Sequence, residues 1–192
     1  MKKDIILCGV GGQGILSIAT VIGEAATAAG LNLKQAEVHG MSQRGGDVES
    51  DLRLSDNTIH SDLIPLGGAD LIISMEPMES LRYARYLAKD GTIVTASKPF
   101  VNIPNYPEME KVQEALAAFP NVVQCDIEDL AHQAGNPKGA NMVLLGMAAP
   151  IIGILSEEEL RKAISSIFAA KGEAIVESNI KAFNLGCEAA CK

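Results

Sequence analysis

The residues in this chain best suited to chemistry are glycines rather than nucleophiles. Gly9-Val10-Gly11-Gly12-Gln13-Gly14 sets three glycines at G-x-G-x-x-G spacing. That is the pattern of a strand-to-helix turn at which a pyrophosphate can meet backbone N–H groups and the positive end of a helix. Glycine there removes the Cβ that would hold a ligand or a second backbone away. Glu37 falls 23 residues past Gly14, near the place from which an acid would reach a ribose hydroxyl. On this pattern alone two uses stand open: the cofactor loop of a free-standing NAD(P)-dependent oxidoreductase, or a tight turn built for close packing.

A second loop carries the strongest fixed charge. In Ser42-Gln43-Arg44-Gly45-Gly46 a guanidinium sits between polar side chains and two glycines. Its rigid fork of donors suits a carboxylate, a phosphate or an acidic protein surface. The plainer alternative is a surface ion pair with Glu37 or Asp47, which contributes little. Elsewhere the chemistry is thin. His39, His60 and His132 lack zinc-ligand spacing, and no nucleophile–histidine–acid set or G-x-S-x-G turn is present. The thiols of Cys8, Cys125, Cys187 and Cys191 include no C-x-x-C pair, so a cluster held by this chain alone is not expected. Asn141, ahead of an apolar run, suits a helix N-cap.

The elements that must position these loops alternate as in an α/β protein. Asp4–Cys8 suits a strand buried on both faces, and Ile15–Ala29 a helix apolar nearly all round, stopped by Gly30. Such a helix needs cover on more than one side, from other helices or from a partner subunit. Asn32–Val38 follows as a strand directed like the first, which brings the two loops to one edge of the sheet. Val48–Leu54 alternates at period two, and the Ser55-Asp56-Asn57 turn suggests a hairpin returning over Thr58–His60. Strands are expected at Ala69–Met75, Gly91–Ala96 and Asn121–Cys125, with helices over Pro77–Lys89, Pro107–Phe119 and Asp126–Gln133. Ser156 and Glu159 form a capping box, and a last helix runs over Glu173–Cys187. The expectation is one domain, residues 1–192, with three α/β/α layers around a mixed, mostly parallel sheet.

Composition excludes several classes. A net charge of −8 with no basic block argues against nucleic acid. The longest apolar stretch, Met142–Leu155, falls short of the roughly 20 residues that span a bilayer. A soluble, cytoplasmic chain with no membrane contact is expected.

The two loops, with Lys138-Gly139-Ala-Asn141 before an apolar helix, resemble the gamma-type subunits of the thiamine-diphosphate-dependent 2-oxoacid:ferredoxin oxidoreductases. The likeness spans the whole chain and is nearest to the small beta subunit of the indolepyruvate branch. Gly-Gly-Gln-Gly is more specific than G-x-G-x-x-G, and Ser-Gln-Arg-Gly-Gly looks like the arylpyruvate form. The resemblance implies a fold like domain III of pyruvate–ferredoxin oxidoreductase. It also implies a large partner subunit that binds thiamine diphosphate and the iron–sulfur clusters, with none of these held by this chain. The reaction implied is oxidative decarboxylation of the 2-oxoacid to an acyl-coenzyme A, with electrons passed to ferredoxin. Gly9, Gly11, Gly12, Gln13, Gly14, Ser42, Gln43, Arg44, Gly45, Gly46 and Asn141 would then dock the partner or coenzyme A rather than catalyse.

Overall fold

A computed structural model describes residues 1–39 and 45–190, with His39 as backbone only. Six strands form one sheet: β1 (Lys2–Val10), β2 (Asn32–His39), β3 (Asp47–Ser55), β4 (Ala69–Ser74), β5 (Leu87–Ala96) and β6 (Val122–Cys125). Their spatial order is β2-β3-β1-β4-β5-β6. β1, β4, β5 and β6 run parallel, whereas β3 is antiparallel to both of its neighbours, β1 and β2. The sheet is therefore mixed.

β1 is central because both of its faces are apolar. Ile5 and Leu7 enter the core beneath α1 (Ile15–Ala28), α4 (Ile127–Gln133), α5 (Ala140–Ile152), α6 (Glu157–Phe168) and α7 (Glu173–Ala190). Ile6 and Cys8 face the smaller core under α2 (Pro77–Arg82) and α3 (Met109–Leu116). Alternating side chains thus feed two helical layers. α5 is apolar all round because it lies between the sheet and α7, with Met142 to Ala149 buried. α5 and α7 approach so closely that a Cβ on Gly146 would lie 2.0 Å from the Phe183 carbonyl oxygen, and one on Gly186 2.0 Å from that of Val143. α1 packs against the sheet, α5 and α6 but leaves Leu16, Thr20, Glu24 and Thr27 exposed. The expected cover is present on two sides, and the third is open among the described residues.

Several expectations need correction. Thr58–His60 is not a strand; β3 pairs with β1 and β2 instead, so its hairpin partner is β2. The turn at Ser55–Asn57 is real, since Asn57 N–H bonds the Ser55 hydroxyl, but it leads into an irregular connection. The helix expected over Pro77–Lys89 stops at Arg82, with a 3₁₀ turn at Ala84–Tyr86, and Leu87–Asp90 already belong to β5. There Ala69 pairs with Leu87 but Leu71 with Thr92. Gly91 permits this irregularity, because a Cβ would meet the Ala69 carbonyl oxygen at 2.9 Å. Asn141 is not the N-cap of α5. Gly139 holds that position, and Asn141 lies in the first turn.

Candidate functional site

The glycine turn forms where β1 passes into α1. Gln13 N–H closes the turn on the Val10 carbonyl, Gly12 takes φ 103° and Gly14 φ 87°, values that side chains resist. Gln13 stitches the turn to the rest of the sheet. Its Oε1 accepts from the buried Val10 N–H at 2.8 Å, and its Nε2 donates to the Met75 carbonyl at the end of β4. Gly9 is required by crowding, since a Cβ there would sit 3.1 Å from the Met75 Cβ and 3.0 Å from Gln13 Oε1.

The second loop meets the first as the strand directions require. Gly11 N–H donates to the Gly46 carbonyl at 2.8 Å, and Gly45 N–H donates to the Gly11 carbonyl at 3.3 Å. Ser42, Gln43 and Arg44 lie outside the described residues. Asn141 reaches the turn from α5, its Nδ2 donating to the Gly14 carbonyl at 3.2 Å while its Oδ1 accepts from Met142 N–H. A Cβ on Gly14 would lie 2.7 Å from Asn141 Nδ2. Of the expected site residues, Gly9, Gly11, Gly12, Gln13, Gly14, Gly45, Gly46 and Asn141 therefore form one connected cluster.

This cluster walls a cleft of about 670 Å³ at the carboxyl edge of the sheet, with Met75, Phe100, Glu128 and Lys138 opposite. A smaller groove of about 370 Å³ lies on the other side of the turn, against Leu16, Ser17 and Val48. α1 and α5 both begin at the cleft on a glycine, Gly14 and Gly139, with no side-chain cap. Their dipoles and the Lys138 ammonium favour negative charge. Glu128, in the first turn of α4, opposes it, and Asp126 caps that helix and pairs with Lys98.

Some of the cleft was not visible in the sequence. Phe100 is placed by Glu76, a fully buried carboxylate that caps α2. Glu76 accepts from Glu79 N–H, from Phe100 N–H and from the Tyr106 hydroxyl. Burial and the bond to Glu76 push the Tyr106 phenol up. Asn102 on the same segment donates to the Gly45 carbonyl at 2.9 Å. The available signal was Glu76-Pro77, an acceptor followed by the proline of a helix start.

The geometry bears on the chemistries considered. β3 lies between β1 and β2, so Glu37 is two strand spacings, roughly 10 Å, from the strand that carries the glycine turn. A ribose-binding acid belongs on the adjacent strand, which disfavours the dinucleotide reading. Burial pushes the Cys8 thiol up, and the Cys125 thiol up to about 11, so neither is a poised nucleophile. Among the described residues, no group of three or more His, Cys, Asp or Glu side chains is placed to hold a metal ion.

Known proteins share this architecture and sequence. The family described as pyruvate ferredoxin/flavodoxin oxidoreductase matches residues 4–189. The chain is 38% identical to the indolepyruvate oxidoreductase subunit IorB of Pyrococcus horikoshii, covering 99% of this chain and 97% of that one. It is 36% identical to the IorB subunit of Archaeoglobus fulgidus, over 97% and 94% of the two chains. A solved gamma subunit of a keto/oxoacid ferredoxin oxidoreductase from Geobacter sulfurreducens superposes with TM-score 0.71 at 25% identity, over 98% of each chain. The three-layer fold expected from the strand–helix alternation is thus shared across its whole length, and the chain belongs to the pyruvate ferredoxin/flavodoxin oxidoreductase family.

Proposed function

We propose that this chain is the small subunit of a thiamine-diphosphate-dependent indolepyruvate, or arylpyruvate, ferredoxin oxidoreductase. The complex would oxidatively decarboxylate the 2-oxoacid, transfer the acyl group to coenzyme A and pass electrons to ferredoxin in the cytoplasm. The observation that carries this reading is the full-length identity to the IorB subunits, at 36–38%. The fold is consistent with a division of labour. Cys8, Cys125 and Cys187 lie on β1, β6 and α7, a scatter that does not fit an iron–sulfur cluster. Thiamine diphosphate and the clusters therefore fall to the large subunit in this reading.

The cleft has a different fit. Two helix starts without side-chain caps, the Gly12–Gly14 backbone and Lys138 suit an anionic group such as the phosphates of coenzyme A. Arg44, one residue before Gly45, would add a bidentate donor beside them. This chain's own work is then binding and orientation, and a second wall for the cleft would come from the large subunit. The test is coenzyme-A-dependent reduction of a viologen dye by indolepyruvate, with the large subunit alone and with both chains. Activity should require both, and full activity of the large subunit alone would refute the reading. Arg44→Ala should raise the KM for coenzyme A with assembly intact; an unchanged KM would remove that role.

A further inference from the structure

The outer end of the sheet carries a groove that the reading above does not use. On the face that holds Ile6 and Cys8, α2 packs over β1, β4 and β5, but among the described residues no helix packs closely over β2 and β3 there. Two cross-strand pairs lie there, Ala36 with Asp51 and Val38 with Glu49. With Leu63, Ile64 and Tyr86 they line a groove of about 160 Å³. Its rim is apolar and in water, with Val38 64% and Leu63 62% exposed.

The floor is acidic, and among the described residues neither Asp51 nor Glu49 forms an ion pair. Asp51 is buried, and its carboxylate accepts from Ile64 N–H at 2.9 Å. Glu49 is half-buried and has no hydrogen-bond or ion-pair partner among the described residues. Burial, then Asp51 and Asp47, push its carboxyl up. Arg85, whose charge opposes that shift, is turned to Tyr86, lying 5.0 Å over its ring and donating to its hydroxyl. Arg53 is committed to both oxygens of Asp4 and to the Ser61 and Leu63 carbonyls.

We infer that this groove seats a segment of the large partner subunit that presents a lysine or arginine between apolar residues. This rests on the subunit reading above. The apolar residues would cover Val38 and Leu63, and the cation would meet Glu49. Charge complementarity selects this occupant. An apolar segment alone would complete the burial of an unpaired carboxylate, which is costly, and an acidic one would add repulsion. A cation removes the penalty and fixes the register of docking.

The test is a binding titration of the full chain against the large subunit at several ionic strengths. Variants are Glu49→Gln and Leu63→Ser, with thermal melts to show that each folds. Each variant should bind about tenfold or more weakly, and Glu49→Gln should also flatten the salt dependence. Binding by Glu49→Gln within twofold of wild type, with the same salt dependence, would overturn the groove while leaving the subunit reading in place. A wild-type chain that does not bind the large subunit would overturn both.

Discussion

Replacing Gly146 and Gly23 with alanine, one at a time, should change stability in opposite directions. Both glycines lie inside helices, where alanine is favoured by roughly 1 kcal/mol through backbone entropy alone. At Gly23 in α1 the added methyl would meet only Leu33 Cδ2, at 3.3 Å. That is the end of a side chain that can turn aside, so Gly23→Ala should gain about 0.5–1 kcal/mol. At Gly146 the methyl would fall 2.0 Å from the Phe183 carbonyl oxygen and 3.0 Å from the Cys187 nitrogen. Both are backbone atoms of α7, so relief requires two helices to separate by about 1 Å. Overpacking of this kind costs about 1–3 kcal/mol when side chains can adjust, and more when they cannot. A net loss of about 2–4 kcal/mol is expected, which for a chain of this size lowers Tm by roughly 5–15 °C. Thermal melts and urea titrations of both variants, followed by circular dichroism, make the comparison. A Gly146→Ala protein as stable as wild type would refute the close-approach argument, and a loss at Gly23 would show that α1 is tighter than described.

Two further outcomes follow from buried polar groups. Burial raises the Asp4 carboxyl, but the hydrogen bonds from Arg53 and Lys2 outweigh it and hold the group below its usual range. Its contribution is therefore present above the unfolded carboxylate value near ~3.9 and lost as pH falls through the lower folded value. Urea titrations over acidic pH should show Asp4→Asn less stable by about 2–3 kcal/mol at pH 7. The gap should narrow toward pH 2, and a constant gap would count against the ion pair. Gln13→Ala leaves the Val10 N–H without its acceptor and should cost about 1–2 kcal/mol. Gln13→Glu keeps that acceptor but sets a carboxylate against the Met75 carbonyl, so denaturant midpoints should rank it between alanine and wild type.

What the sequence made legible was local. The ends of α1 follow from Gly14 and from Gly30, whose φ of 74° lets Gly30 and Leu31 return hydrogen bonds to Thr27 and Ala26. Period-two alternation marked β3 as a strand, but alternation does not name a partner. Ser55–Asn57 was a genuine turn signal that led to no strand. Leu87–Asp90 reads as helix because its β pairing depends on Ala69, across an irregularity that only Gly91 allows. The glycines and Asn141 stand out in the sequence by type and place, though not for the N-cap role read there for Asn141, whereas Phe100 and Asn102 do not, since tertiary hydrogen bonds to Glu76 and Gly45 bring them to the cleft.

The bond from Asn141 to the Gly14 carbonyl spans 127 residues, and this has a consequence for biosynthesis. The ribosome makes the glycine turn early, yet one of its supports is translated long afterward. At roughly 5–20 residues per second the interval is about 6–25 s. A nascent chain thus has no finished cleft until α5 has emerged and docked. Under the proposed function, docking at the cleft must wait for that event too, since α5 also fills the main core that Ile5 and Leu7 enter.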